Sequence, residues 1–181
     1  MNLRRKKKRI GAMGDGEGEG ARQAVSIEYR LAVPADEKAI ASLLERAGLS
    51  SKGIAPHLPH FVVAVAEGRL VGTAGCEVHG RAGLFRSFAV DPGHRGQGIG
   101  AQLYRLVVAH ARSAGVHDGY LLTDTAEGFF AKFGFQRVTR DAVPRAIRET
   151  EQFRIQCLPA SVCMGRSFGN AESDMERQAR V

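Results

Sequence analysis

Apolar and polar residues alternate from Val25 to Val33, the period of a half-buried strand. From Pro34-Ala35-Asp36 the period lengthens, and Ile40, Leu43, Leu44 and Ala47 fall on one face of a predicted helix. Two prolines and a glycine make Ser50–Pro59 a loop, of the kind that covers a substrate. The runs His60–Glu67 and Arg69–Val78 read as a hairpin turning at Gly68. A second turn at Gly80-Arg81-Ala82-Gly83 leads into a strand over Leu84–Val90. A glycine-rich loop then precedes a long amphipathic helix from about Gln97 to Ala114, with Gly115 as its stop. Further on the pattern predicts a short buried strand at Tyr120–Thr123, a helix over Ala126–Phe133 and a strand near Val138. A short helix over Pro144–Thr150 and a last strand at Val162–Met164 complete it. Hairpins followed by alternating strands and helices imply an α/β fold, a mixed sheet with helices on both faces.

Length and charge narrow the class. A chain of 181 residues suits one domain, taken as residues 25–168 between disordered tails at 1–24 and 169–181. The net charge of +7 is unevenly spread: residues 1–24 contribute +4, mostly from Arg4, Arg5, Lys6, Lys7, Lys8 and Arg9, and all the rest only +3. That basic block has the chemistry to meet phosphates or anionic lipid, but it runs into GDGEGEG, which opposes packing. The domain itself therefore does not read as nucleic-acid binding. No apolar run approaches the roughly 20 residues of a membrane span, and a cytoplasmic protein is expected. Cys76, Cys157 and Cys163 form no CxxC pair, so neither a disulfide framework nor a metal site is expected.

The most informative segment is Arg95-Gly96-Gln97-Gly98-Ile99-Gly100, between a strand and a helix. The first turn of a helix presents backbone N–H groups without intrahelical partners, where the peptide dipoles add positive potential. Glycines let a phosphate approach those amides, and Arg95 adds a charged donor. A dinucleotide fingerprint would need G-x-G-x-x-G after an opening βαβ unit, and the spacing here is G-x-G-x-G. A glycine turn that binds nothing is the plainer alternative.

These residues resemble the GCN5-related N-acetyltransferase (GNAT) superfamily, whose pyrophosphate loop has the pattern Arg/Gln-x-x-Gly-x-Gly/Ala. Arg95, Gly98 and Gly100 fill it. FAVDPGHRGQGIG and AEGFFAKFGF are similar to two further blocks of the family, so that the resemblance covers roughly residues 25–166. A closer similarity is to a subgroup described as arsenic-resistance-associated or amino-acid N-acetyltransferases. It rests on Leu84-Phe85-Arg86-Ser87, on Tyr120 to Phe130, and on Cys157-Leu158-Pro159 through Cys163-Met164, with Leu158 inserted. The resemblance implies acetyl-CoA as co-substrate, bound at Arg95, Gly96, Gln97, Gly98, Ile99, Gly100 and Ala101. Its pantetheine arm would lie between splayed strands, against the main chain of Phe88, Ala89 and Val90.

Amine acetylation needs a neutral nitrogen, a stabiliser for the thioester oxygen and a proton for the departing thiolate. A lysine-like amine is neutral in only about one molecule in 2,500 at pH 7, so a positioned base matters. Glu77 is the candidate, because alternation from Val71 places Thr73, Gly75 and Glu77 on one face, beside the strand Leu84–Val90. An exposed strand acid is the alternative. Arg86 is the candidate anchor for an acceptor carboxylate, with an ion pair to Glu77 as its alternative. His57, in the covering segment with His60, is assigned to the acceptor side. Phe130 stands where many family members carry a tyrosine acid, beside the expected thiol. Thr123 is then a candidate donor, against a plain role in strand packing or helix capping. A small amine with an amino-acid-like end is the expected acceptor. Rival readings are a protein N-terminal or lysine acetyltransferase and a non-catalytic acyl-CoA-binding module. Edge strands near the C-terminus leave room for a homodimer.

Overall fold

The computed structural model describes residues 26–155 and 161–169. The basic block, the predicted N-terminal tail, Cys157-Leu158-Pro159 and residues 170–181 lie outside the described residues. The chain forms β1 (Ile27–Leu31), α1 (Glu37–Arg46), β2 (Phe61–Ala66), β3 (Arg69–His79), β4 (Ala82–Val90) and α2 (Ile99–Ser113). It continues with β5 (Asp118–Thr123), α3 (Glu127–Ala131), β6 (Gln136–Arg137), α4 (Arg145–Arg148), α5 (Glu151–Ile155) and β7 (Val162–Ser167). Short 3-10 turns occupy Pro34–Asp36, Ala55–His60, Pro92–His94 and Arg140–Ala142.

The seven strands form one sheet in the order β1-β2-β3-β4-β5-β7-β6. The β4–β5 pair is parallel and the others are antiparallel. Parallel pairing follows from the connection, since α2 carries the chain back along the sheet between these strands. On one face Ile99, Leu103, Tyr104, Val107 and Ala111 of α2 pack with Val62, Ala74, Cys76, Phe85 and Leu121. On the other, Ile40, Leu43 and Leu44 of α1 pack with Phe61 and Val63, while Ile147 and Phe153 of α4 and α5 cover Leu84 and Cys163. Each fully buried side chain of this size contributes roughly 1.5–3 kcal/mol.

The expected element order is found, with local corrections. The long helix starts at Ile99, two residues after Gln97. The hairpin turn is tighter than expected, with Ala82 and Gly83 already in β4. The strand expected near Val138 is the two-residue β6. The helix foreseen at Pro144–Thr150 shortens to α4, and the separate α5 was not foreseen.

Candidate active site

A bulge in β4 makes the site. Thr73 pairs with Ala89 and Gly75 with Arg86, so that Ser87 and Phe88 together oppose Ala74 alone. Ser87 takes the left-handed conformation, φ 60°, which a serine adopts only when its surroundings impose it. The extra residue reverses the in-out alternation: Phe85 packs on the α2 face, and so do Phe88 and Val90, while Ala89 joins the α1 side. The bulge also bends β4 away from β5. The two strands pair only at Ala82–Asp118, Gly83–Gly119 and Leu84–Tyr120, and part beyond Leu84.

The gap opens into a cleft of about 410 Å³. Phe88, Ala89 and Val90 form one wall, Phe129 and Phe130 face them, and Arg95, Gly96, Gly98, Ile99, Gly100 and Ala101 line the end at α2. Of the expected loop residues, Gln97 is not part of the lining. The first intrahelical bond of α2 runs from Gln102 N–H to the Gly98 carbonyl at 3.0 Å. The N–H groups of Ile99, Gly100 and Ala101 thus precede the helical ladder and crown the cleft with positive potential. Gly98 caps the helix at φ 77°, a conformation that glycine adopts without strain. At Gly100 a Cβ would meet only ordinary contacts, 3.7 Å from Phe129. Packing therefore does not demand glycine there. Arg95 Nε donates to the Val90 carbonyl at 3.1 Å, holding the guanidinium at this end.

Outside the cleft lining, Glu77 lies across the ladder from Leu84, the last β4 residue paired with β5. Glu77 and Arg86 are 4% and 5% exposed. Arg86 Nη1 donates to Glu77 Oε1 at 2.5 Å, Nη2 to the Lys52 carbonyl at 2.7 Å, and Nε to Ser87 Oγ at 3.3 Å. Arg86 therefore ties the covering segment to the sheet, and its guanidinium is engaged by Glu77. Two imidazoles approach the other carboxylate oxygen: His57 Nε2 at 3.7 Å and His79 Nε2 at 3.5 Å from Oε2. Burial lowers the His57 pKa, Glu77 opposes this, and His79 and Arg86 lower it further. Close approach makes room for the cluster: a Cβ on Gly75, opposite Arg86, would lie 2.4 Å from the Phe61 ring.

Thr123 Oγ1 accepts from the Ala126 N–H at 2.9 Å, bracing the turn that leads from β5 into α3. Phe130 is buried, edge-on to Phe88 at 5.1 Å and to Phe129 at 5.1 Å. Burial pushes the Cys76 thiol well above its ordinary range, so it stays protonated and un-nucleophilic. Among the described residues no group of three His, Cys, Asp or Glu side chains is disposed to hold a metal, and no helix is long and apolar enough to cross a membrane. Sequence reasoning missed Ser87, His79 and Phe129. His79 had a signal, lying two residues beyond Glu77 on the same strand face; the bulge at Ser87 had none, because nothing about a serine announces a positive φ.

A seven-stranded mixed sheet splayed beside a glycine-capped helix is the GNAT fold. Residues 57–137 match the family model described as an acetyltransferase (GNAT) domain. Over 88 residues the chain is 38% identical to the N-alpha-acetyltransferase RimI of Mycobacterium tuberculosis, a match spanning 46% of this chain and 55% of that protein. Among solved structures it is similar to N-acetylglutamate synthase of Neisseria gonorrhoeae, complexed with coenzyme A and N-acetyl-glutamate. The TM-score is 0.69 at 24% identity, over 82% of this chain and 36% of that one. It is likewise similar to Rv2747 of M. tuberculosis in complex with CoA, with TM-score 0.67 and 22% identity over 78% and 99% of the two chains. The chain thus spans about half of RimI and about a third of the synthase.

Proposed function

We propose that the protein is an acetyl-CoA-dependent N-acetyltransferase acting on the amine of a small, amino-acid-like acceptor. The observation that carries this reading is the cleft itself. Its lining joins the N-terminal turn of α2 to the walls at Phe88 and Phe130, and the buried Glu77–Arg86 pair lies outside that lining on the adjoining β3–β4 ladder; the first suits a pyrophosphate thioester, the second the uptake of an ammonium proton. The apolar walls suit a pantetheine arm, and main-chain groups freed from the ladder at the Ser87 bulge are available to it and to the thioester oxygen. The acceptor enters over Arg86 and loses a proton to the Glu77 cluster. The neutral amine attacks the thioester directly; the C–N bond forms, the C–S bond breaks, and CoA leaves as a thiolate that is protonated. With Cys76 inert, this route needs no acyl-enzyme. The relatives crystallised with CoA, one of them with N-acetyl-glutamate, support a free amino acid as acceptor. The similarity of the LFRS and YLLTDTAEGFF segments to arsenic-associated acetyltransferases adds arsenic-bearing amino-acid analogues to the candidates. A cytoplasmic setting, where acetyl-CoA is available, completes the reading.

The test is CoA-thiol release from acetyl-CoA across free amino acids, arsenic and phosphorus analogues, polyamines and peptides. Turnover with an amino-acid-like acceptor is expected. A second reading, peptide N-terminal acetylation, is favoured by the similarity to RimI; turnover with peptides alone would establish it and overturn the first. Acetyl-CoA binding without release under any acceptor would point to a binding module.

A further inference from the structure

Glu77 is poorly placed to meet an acceptor itself. Its side chain is 5% exposed, Oε1 accepts from Arg86, and Oε2 faces two imidazole nitrogens. His79 Nε2 is sealed from solvent and lacks a hydrogen bond, and His79 pairs with Ala82, below the point where β4 and β5 part. His57 belongs to the turn Ala55–His60, which packs against β3, and its side chain keeps 27% of its surface open.

We propose that His57 removes the proton from the acceptor ammonium and that Glu77 is the carboxylate that orients it. The proposal rests on the acetyltransferase reading above and names its proton acceptor. With Nε2 turned to Glu77, the Nε2–H tautomer is favoured and the Nδ1 lone pair is left for the acceptor. The arrangement is a base 3.7 Å from a carboxylate, the carboxylate in turn hydrogen-bonded by Arg86. The ammonium gives one proton to Nδ1. The amine then attacks, the second nitrogen proton is lost as the tetrahedral species collapses, and the thiolate takes up a proton; imidazolium releases its own to solvent. Charged and titratable groups surround His57 from several elements: Glu77 and His79 on β3, Arg86 on β4, and His60 on its own turn. Glu151 on α5 adds a carboxylate against Gly53, next to Arg86. Burial outweighs Glu77, so the ring is neutral at pH 7, as a base must be.

The experiment is the pH profile of kcat/KM for wild type, His57→Gln and Glu77→Gln, with an ordinary acceptor and with an analogue whose electron-withdrawing substituents make its amine neutral at the assay pH. His57→Gln is expected to lose about 10²-fold or more with the ordinary acceptor, to lose the acidic limb set by the imidazole, and to retain most of its rate with the neutral amine. Glu77 raises the His57 pKa, so Glu77→Gln is expected to keep the limb and move it to lower pH. An unchanged limb in His57→Gln, an equal loss with both acceptors, or a limb in Glu77→Gln that stays put overturns the proposal. Should His57→Gln fail to fold, the direction of the Glu77→Gln shift decides. If wild type binds acetyl-CoA but acetylates no amine, the acetyltransferase reading falls and the proposal with it; transfer by wild type with either failure above refutes the role of His57 alone.

Discussion

Arg86→Met isolates what the buried pair does for the fold. Both partners are at or below 5% exposure, and the guanidinium also satisfies the Lys52 carbonyl. Removing one member of a buried ion pair leaves the other charge without compensation, which costs about 3–5 kcal/mol, whereas replacing both by apolar side chains of similar volume is often close to neutral. The single variant is therefore expected to lose about 3–5 kcal/mol in urea unfolding at pH 7, a fall of roughly 6–20 °C in melting temperature for a chain of this size. Glu77→Met alone is expected to be comparable. The double variant should return to within about 1–2 kcal/mol of wild type, giving a coupling of at least about 4 kcal/mol in the cycle. Acetyl-CoA affinity of the double variant, measured by calorimetry, should hold, because the pair lies outside the cleft lining, while acetyl transfer should disappear. Single variants that cost less than about 1 kcal/mol, or effects that simply add, would refute the argument by showing that water already compensates these charges.

Gly75→Ala places a methyl group 2.4 Å from the Phe61 ring; overpacking of this kind costs about 1–3 kcal/mol, and calorimetric melting should register the loss. Gly100→Val is expected to melt within a few degrees of wild type, since its Cβ contacts are ordinary, while acetyl-CoA binding weakens by about tenfold or more if, as proposed, the pyrophosphate sits at this helix terminus. Asp36 tests pH linkage: the hydrogen bond from Arg30, joined by one from the Val33 N–H and opposed by burial, holds its carboxyl below the ordinary value. Its contribution is therefore fully present above about pH 4 and is lost as pH falls through the lowered value. The urea midpoints of wild type and Asp36→Asn should accordingly differ at pH 7 and converge on acidification.

Periodicity carried the reading of the fold. Ile40, Leu43 and Leu44 repeat at helical spacing and do face the core, and the hairpin at Gly68 and the helix after Gly98 are local events, set by turn chemistry within a few residues. The glycine-capped end of the cleft was legible for the same reason: a helix terminus with a left-handed glycine is encoded within six consecutive positions. Glu77 and Arg86 were both visible as candidates, yet strand alternation could not say whether they meet each other or the acceptor. That depends on a nine-residue separation closed by one particular register.

The amino-acid sequence by itself determined the elements, their order and the glycine loop that opens α2, because these follow from side-chain period and backbone conformational preference over short stretches. The tertiary structure alone decided that a bulge at Ser87 parts β4 from β5, that Arg86 is engaged by Glu77, and that His57 is brought from the covering turn to the carboxylate. Bulges, buried pairs and approaches between distant segments arise from packing the whole sheet at once, and no local pattern records their outcome.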